Sequence, residues 1–113
     1  MNQPQKLLFV CTENRMRGPT AEAMYQGFPD YEVKSAGTEL SARIPLTQEH
    51  VQWADMIFVI EPEHLERLQL EYGDLLSGKN IICLNILDIY RYMEPALIDE
   101  LKAALRGHVE IPQ

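Results

Sequence analysis

Short apolar runs alternate along the chain with segments of helical spacing. Lys6 to Val10 carries Leu7-Leu8-Phe9-Val10, a continuous run of the kind that fills a buried strand. Pro19 suits the first turn of a helix, where its missing N–H costs nothing. Thr20 to Gln26 continues that helix until Gly27 and Pro29 stop it. Tyr31 to Ser35 alternates as a second strand ended by Gly37, and Thr38 to Pro45 reads as a loop. Thr47 is placed to cap a short helix reaching Trp53. Met56 to Ile60 is a third apolar run. Pro62 to Tyr72 has a helical pattern stopped by Gly73, and Asn80 to Leu84 is a fourth strand. Pro95 to Leu105 is a last amphipathic helix, with Leu97, Ile98, Leu101, Ala104 and Leu105 on one side and Gly107 beyond it.

Four strands alternating with helices predict an α/β fold of three layers, a four-stranded parallel sheet with helices on both faces. The 113 residues fit one domain over 1–113. Repeats, low-complexity tracts and linkers are absent from the sequence. Ligands of such sheets bind beyond the carboxyl ends of the strands, near the point where strand order reverses. Cys11 ends the first strand and therefore stands in that region.

Charge and cysteine usage narrow the chemistry. A net charge of -7 argues against a nucleic-acid partner, and any anion site must be built from local groups. Two cysteines, Cys11 and Cys83, lie far apart without metal-ligand spacing, so neither a disulfide framework nor a metal site is expected, and no cofactor is implied. The opening MNQPQK is polar, and no apolar run approaches membrane-spanning length. A cytoplasmic protein with free thiols and no membrane contact is the expectation.

The stretch Cys11-Thr-Glu-Asn-Arg-Met-Arg17-Gly18-Pro19 joins a strand end to a helix start. Loop N–H groups and a helix N-terminus together favour an anion. The same field is expected to lower the thiol pKa of Cys11, while Arg17 offers a planar fork matched to two phosphate oxygens. The N–H groups of residues 12 to 18, that is Thr12, Glu13, Asn14, Arg15, Met16, Arg17 and Gly18, are then expected to hold a phosphate or sulfate over the Cys11 sulfur. A nucleophile, an anion cradle and a guanidinium are the parts of phosphoryl transfer to sulfur. The bland alternative is a small buried cysteine at a strand end.

The segment CTENRMRGPTAE resembles the signature loop of the low-molecular-weight protein tyrosine phosphatases: cysteine, five residues, arginine, then usually Ser or Thr, followed by Pro-x-Ala-Glu. The likeness extends to SAGT at Ser35 to Thr38, WADMIFVIEPEH at Trp53 to His64 and IICLNILDIYRYMEP near the end, and it is nearest to the compact bacterial branch. It implies a four-stranded parallel sheet, which agrees with the pattern above. It also implies that Asn14 shapes the loop with Ser35 as a hydrogen-bond partner, and that the general acid is an Asp from the loop after the fourth strand. Asp88 occupies that loop, with Ile89 where the family often has Pro; an ordinary turn residue is the other reading. Tyr90 and Tyr92 either wall a substrate pocket or belong to the core and rim. His50, His64 and His108 read as surface or capping residues, and Glu61-Pro62-Glu63 as a helix start.

Two positions depart from the family pattern. Gly18 replaces the hydroxyl residue that can stabilise the sulfur as phosphocysteine breaks down, and Glu13 adds a negative charge to the anion loop. The leading expectation is a phosphatase acting on a phosphorylated protein or a small aryl phosphate through phosphocysteine. The alternatives are an arsenate reductase resolved by an external thiol, and a phosphate-binding or phosphocysteine-carrying module with little turnover.

Overall fold

A computed structural model describes residues 3–112; Met1, Asn2 and Gln113, which the expected domain 1–113 includes, lie outside the described residues. The elements in chain order are β1 (Gln5–Cys11), α1 (Arg17–Met24), β2 (Tyr31–Gly37), α2 (Gln48–Trp53), β3 (Met56–Val59), α3 (Pro62–Tyr72), a 3-10 turn (Gly73–Leu76), β4 (Asn80–Cys83) and α4 (Pro95–Leu105). The strands form one sheet in the order β2-β1-β3-β4, and all three pairings are parallel. This is the α/β architecture expected from the sequence.

Strand periodicity divides the core into two. Leu7, Phe9 and Cys11 of β1 face the same side as Met56, Phe58 and Ile60, and are covered by Ala21 and Tyr25 of the α1 segment and by Leu97, Leu101 and Leu105 of α4. Leu8, Val10, Ile57 and Val59 face the other side, under Val51 of α2 and Leu68 of α3. Both faces are thus covered, which is why the strands are apolar at consecutive positions. From β1 the chain adds β2 on one side, and later β3 on the other. The carboxyl end of β1 is therefore the switch point, and Cys11 stands at it, opposite Gly37.

Strand ends differ from the sequence expectation by one or two residues, and two helices differ in how they start or stop. Helix α1 begins at Arg17 and ends at Met24, rather than running from Pro19 to Gln26. Its first turn closes when the Thr20 N–H donates to the Met16 carbonyl. Its end tightens as the N–H groups of Tyr25 and Gln26 donate to residues three back, before Gly27 turns at φ +80°. Helix α3 does run from Pro62 to Tyr72, but Gly73 keeps a right-handed φ of -45°, so the chain continues into the 3-10 turn. The left-handed turn comes at Gly78. Among the described residues, no helix is long and apolar enough to cross a membrane.

Candidate active site

The site is built where β1 stops. The loop from Thr12 to Met16 has all of its early carbonyls turned outward and occupied. Cys11 O accepts from Thr38 N–H (2.9 Å), Thr12 O from Glu39 N–H (3.1 Å) and Glu13 O from Arg43 N–H (3.0 Å). Asn14 O accepts from Arg43 Nε (2.9 Å). With its acceptors held by segment 38–43, the loop turns its donors inward, and the N–H groups of Gly18 and Asn14 point at the Cys11 sulfur. The stretch that reads as a plain loop in the sequence is the brace of the cradle.

Gly37 makes this brace possible. A Cβ there would lie 2.5 Å from Thr12 O, 2.6 Å from Ala42 Cβ and 3.1 Å from Asn14 N. Asn14 occupies the left-handed region at φ 57°, where Asn is among the few residues that settle readily. It is fully buried; its Nδ2 donates to Ser35 Oγ (2.8 Å), and Ser35 Oγ donates in turn to Glu22 Oε1 (2.6 Å). The Asn14–Ser35 bond expected from the family resemblance is therefore present. Asn14 Oδ1 is buried without a hydrogen-bond partner.

Arg17 is 2% exposed and its fork is held on one side. Nη1 donates to Ile86 O (2.6 Å) and lies 3.0 Å from Glu61 Oε2, while Nε lies 3.7 Å from Asp88 Oδ1. Glu61 also begins α3. Its side chain accepts from the His64 N–H, and His64 Nδ1 accepts from the Glu61 N–H (3.0 Å), a reciprocal cap. That bond assigns the His64 proton to Nε2, which donates to Thr12 Oγ1 (2.8 Å). Burial, then the Arg17 charge, pushes His64 down to about 4, so it is neutral around pH 7. His64 thus caps a helix, as the sequence suggests, but it is buried and braces the cradle rather than lying at the surface. The sequence signal that was available is a His three residues after Glu61 at the mouth of the third strand.

The cleft over Cys11 is lined by Cys11, Thr12, Glu13, Asn14, Arg15, Met16, Arg17 and Asp88. The structure therefore brings Asp88 into the cleft over Cys11, on an exposed loop with its side chain 63% accessible. Gly18 lies behind the sulfur: a Cβ there would stand 3.0 Å from Cys11 Sγ and 3.3 Å from Ser35 Cβ. Glu13, Arg15 and Met16 are exposed at the rim. Tyr90 stands apart from the cleft lining, half-buried against the core beneath α4, and Tyr92 is exposed beside Arg15.

The thiol departs from expectation. Burial pushes Cys11 above its ordinary pKa; the Gly18 and Asn14 N–H groups and Arg17 pull the other way, and Asp88 pushes up. Desolvation is the largest of these effects and outweighs the loop N–H groups and Arg17 together.

Other groups are excluded by geometry. Cys83 packs on the opposite face of the sheet from Cys11, two strands away, roughly 9–10 Å between backbones and beyond disulfide reach. Side-chain ligand atoms of Glu61, Glu63 and His64 lie within 4.8 Å of one another. Both His64 nitrogens are already engaged, so this cluster is a helix start rather than a metal centre.

No protein-family model and no curated protein matches the chain. Solved structures do match. A YwlE mutant from Bacillus subtilis is 22% identical, with 90% of this chain and 94% of that chain covered at a TM-score of 0.72. The YwlE arginine phosphatase from Geobacillus stearothermophilus is 21% identical, with 95% and 99% covered and a TM-score of 0.64. The tyrosine phosphatase Wzb from Escherichia coli K30, in complex with phosphate, is 20% identical, with 88% and 92% covered and a TM-score of 0.67. The fold is that of the low-molecular-weight protein tyrosine phosphatases.

Proposed function

We propose that the chain is a cysteine-dependent phosphatase that hydrolyses phosphomonoesters, phosphotyrosine or another aryl phosphate, through phosphocysteine. The observation that carries this reading is the Cys11 sulfur lying beneath the inward N–H groups of Asn14 and Gly18, in a loop whose carbonyls from Cys11 to Asn14 are held by segment 38–43. The fold neighbours named phosphatases support it.

In the first step the Cys11 sulfur attacks phosphorus and the bond to the leaving oxygen breaks. The loop N–H groups and the free side of Arg17 receive the three non-bridging oxygens, whose charge they oppose without reorganising. Asp88, protonated, gives its proton to the leaving oxygen. In the second step water attacks phosphocysteine, Asp88 takes the water proton, and the S–P bond breaks to release phosphate and regenerate the sulfur nucleophile. Because burial holds the free thiol above its ordinary pKa, the S–H proton first passes to an oxygen of the bound phosphoryl dianion, and the released phosphate carries it away.

A slow second step, approaching a phosphocysteine carrier, is favoured by Gly18, which puts no hydroxyl at the sulfur. An arsenate reductase would depend on an external thiol, since Cys11 and Cys83 cannot pair.

The test is steady-state hydrolysis of an aryl phosphate by wild type and Cys11→Ser, with phosphate release measured against acid-stable label on the protein. Cys11-dependent turnover supports the phosphatase. One equivalent of label on Cys11 without turnover selects the carrier. Equal release by wild type and Cys11→Ser rejects both.

A further inference from the structure

A second concavity of about 410 Å³ opens beside the cradle, lined by Arg15, Pro19, Glu22, Ala23, Gln26, Arg43 and Tyr92. Pro19, Glu22, Ala23 and Gln26 follow the helical i, i+3, i+4, i+7 spacing, so they present one face of α1 and its continuation as the floor. The walls come from elsewhere in the chain. Arg43 belongs to the brace, and its Nε is fixed on the Asn14 carbonyl. Tyr92 is held above α1 because the adjacent Met93, at φ 60°, donates its N–H to Thr20 Oγ1 (2.9 Å), and Arg91 N–H donates to Glu94 Oε1 (3.0 Å). Arg15 borders both this groove and the cradle.

The charge of the groove is anomalous for this protein. The chain carries -7 overall, yet the groove sets two arginines against one carboxylate, Glu22, which already accepts from Ser35. Neither Arg15 nor Arg43 makes an ion pair among the described residues. Two guanidinium groups without carboxylate partners, one fixed by its Nε, beside an aromatic ring and the apolar Pro19 and Ala23 of a mixed floor, suit a carboxylate on a short stem.

We propose that the groove receives an acidic side chain, Asp or Glu, carried by the same peptide whose phosphoryl group enters the cradle. This rests on the phosphatase reading and adds the substrate class: a phosphorylated protein segment with an acidic residue close to the phosphorylated one. Arg15 is the partition between the two sites, so the two side chains belong to residues one or two positions apart, within roughly 7 Å of extended backbone. The long-range repulsion between an acidic protein and an acidic substrate is overcome at contact by this local pair of cations.

The test reads binding rather than turnover, which separates it from the phosphatase reading. Fluorescent phosphotyrosine pentapeptides carrying Glu, Gln or Lys at each of the four flanking positions are titrated into Cys11→Ser protein, and anisotropy gives the Kd values. The Glu peptide is expected to bind about three- to ten-fold tighter than its Gln counterpart at one of the flanking positions, with Lys weakest. The Glu/Gln ratio should fall toward one when Arg15→Ala is added, again with Arg43→Gln, and in high salt. Since Arg43 also holds the Asn14 carbonyl, the ratio between peptides is read and not the absolute affinity. Equal Kd values for Glu and Gln peptides at all positions would overturn the proposal, as would a Glu preference that survives loss of both arginines. Free glutamate at the peptide's own concentration should leave the ratio unchanged. Erasure of the ratio would assign the groove to a small free anion and reject a peptide carboxylate.

Discussion

Substituting Gly18 tests what the missing hydroxyl costs the sulfur. A Cβ at Gly18 stands 3.0 Å from Cys11 Sγ and 3.3 Å from Ser35 Cβ, so the sulfur must turn aside by a few tenths of an ångström. Overpacking of that size costs about 1–2 kcal/mol. Against it, a serine hydroxyl donating to the thiolate forms a charged hydrogen bond worth roughly 1.5–3 kcal/mol, which lowers the thiol pKa. The hydroxyl has one proton, and an ionised sulfur is its strongest acceptor, since charge-assisted bonds are about twice as strong as neutral ones. Gly18→Ser should therefore lose about 1–2 kcal/mol of stability at neutral pH, where the resting sulfur is protonated and the charged bond is not formed, lower the Cys11 pKa, and speed the breakdown of phosphocysteine more than its formation. Gly18→Ala adds the same Cβ without the hydroxyl; it should lose stability and leave the thiol no more acidic. The assays are the pH dependence of Cys11 alkylation by iodoacetamide and the burst and steady-state phases with an aryl phosphate. Identical alkylation profiles for folded Gly18→Ser and Gly18→Ala would refute the reasoning, because the only difference between them is the hydrogen bond.

Asp88→Asn should cut turnover by about 10²–10⁴-fold for a poor leaving group and less for a good one; it should also make Cys11 more acidic, since Asp88 pushes the thiol up. Unchanged kcat on phosphotyrosine would remove Asp88 from the mechanism. Gly37→Ala should destabilise by more than about 2 kcal/mol in urea unfolding and depress activity together, as its Cβ meets main-chain atoms that cannot turn aside. A wild-type midpoint would show that the brace moves freely. His64, held down to about 4, gives full stability above its unfolded value near 6.5 and loses it as pH falls toward 4, where only the unfolded state takes the proton. Between pH 6.5 and 5, before carboxylates titrate, the loss should be about 2 kcal/mol at most, with His50 contributing in the same direction. A His64→Gln variant should lack most of that slope, and an equal slope in both proteins would place it elsewhere.

The sheet was readable because each strand is buried on both faces, which forces the continuous apolar runs Leu7 to Val10 and Met56 to Ile60. Helix ends were less readable. Local signals such as Pro19 and Gly73 compete with hydrogen bonds to Met16 and with a 3-10 continuation that depends on tertiary packing. At the site, Cys11 and Arg17 are legible because a strand, a loop and a helix start are contiguous in sequence. The brace is not legible: segment 38–43 has no periodicity, and its role consists of N–H groups that every residue but proline carries. Glu61 reads only as part of a helix start and His64 as a surface or capping residue, because the reciprocal cap is a local pattern. Their second task, reaching Arg17 and Thr12, follows only from the pairing of β1 with β3. The raised thiol pKa was missed because a loop dipole can be inferred from sequence, whereas desolvation depends on how completely the fold covers the sulfur.

The charge arrangement around Arg17 connects that raised pKa to the proposed chemistry. One guanidinium faces Glu61 at 3.0 Å and Asp88 at 3.7 Å, so the side chains alone leave the cradle without excess positive charge. Attraction for a phosphoryl dianion must then come from the N–H groups, which act only at contact distance and whose loop segment 38–43 holds through the carbonyls of residues 11 to 14. An ionised Cys11 in the empty cradle would compete with the substrate for those donors. A buried, protonated sulfur leaves them free until the phosphoryl group arrives, and the proton must be lost on the way to attack. The arrangement trades reactivity of the resting thiol for room to bind an anion in a protein that is itself acidic. By the same argument, neutralising Glu61 would free Arg17 to acidify Cys11 and yet loosen the guanidinium's aim, so thiol reactivity and phosphoryl transfer should move in opposite directions.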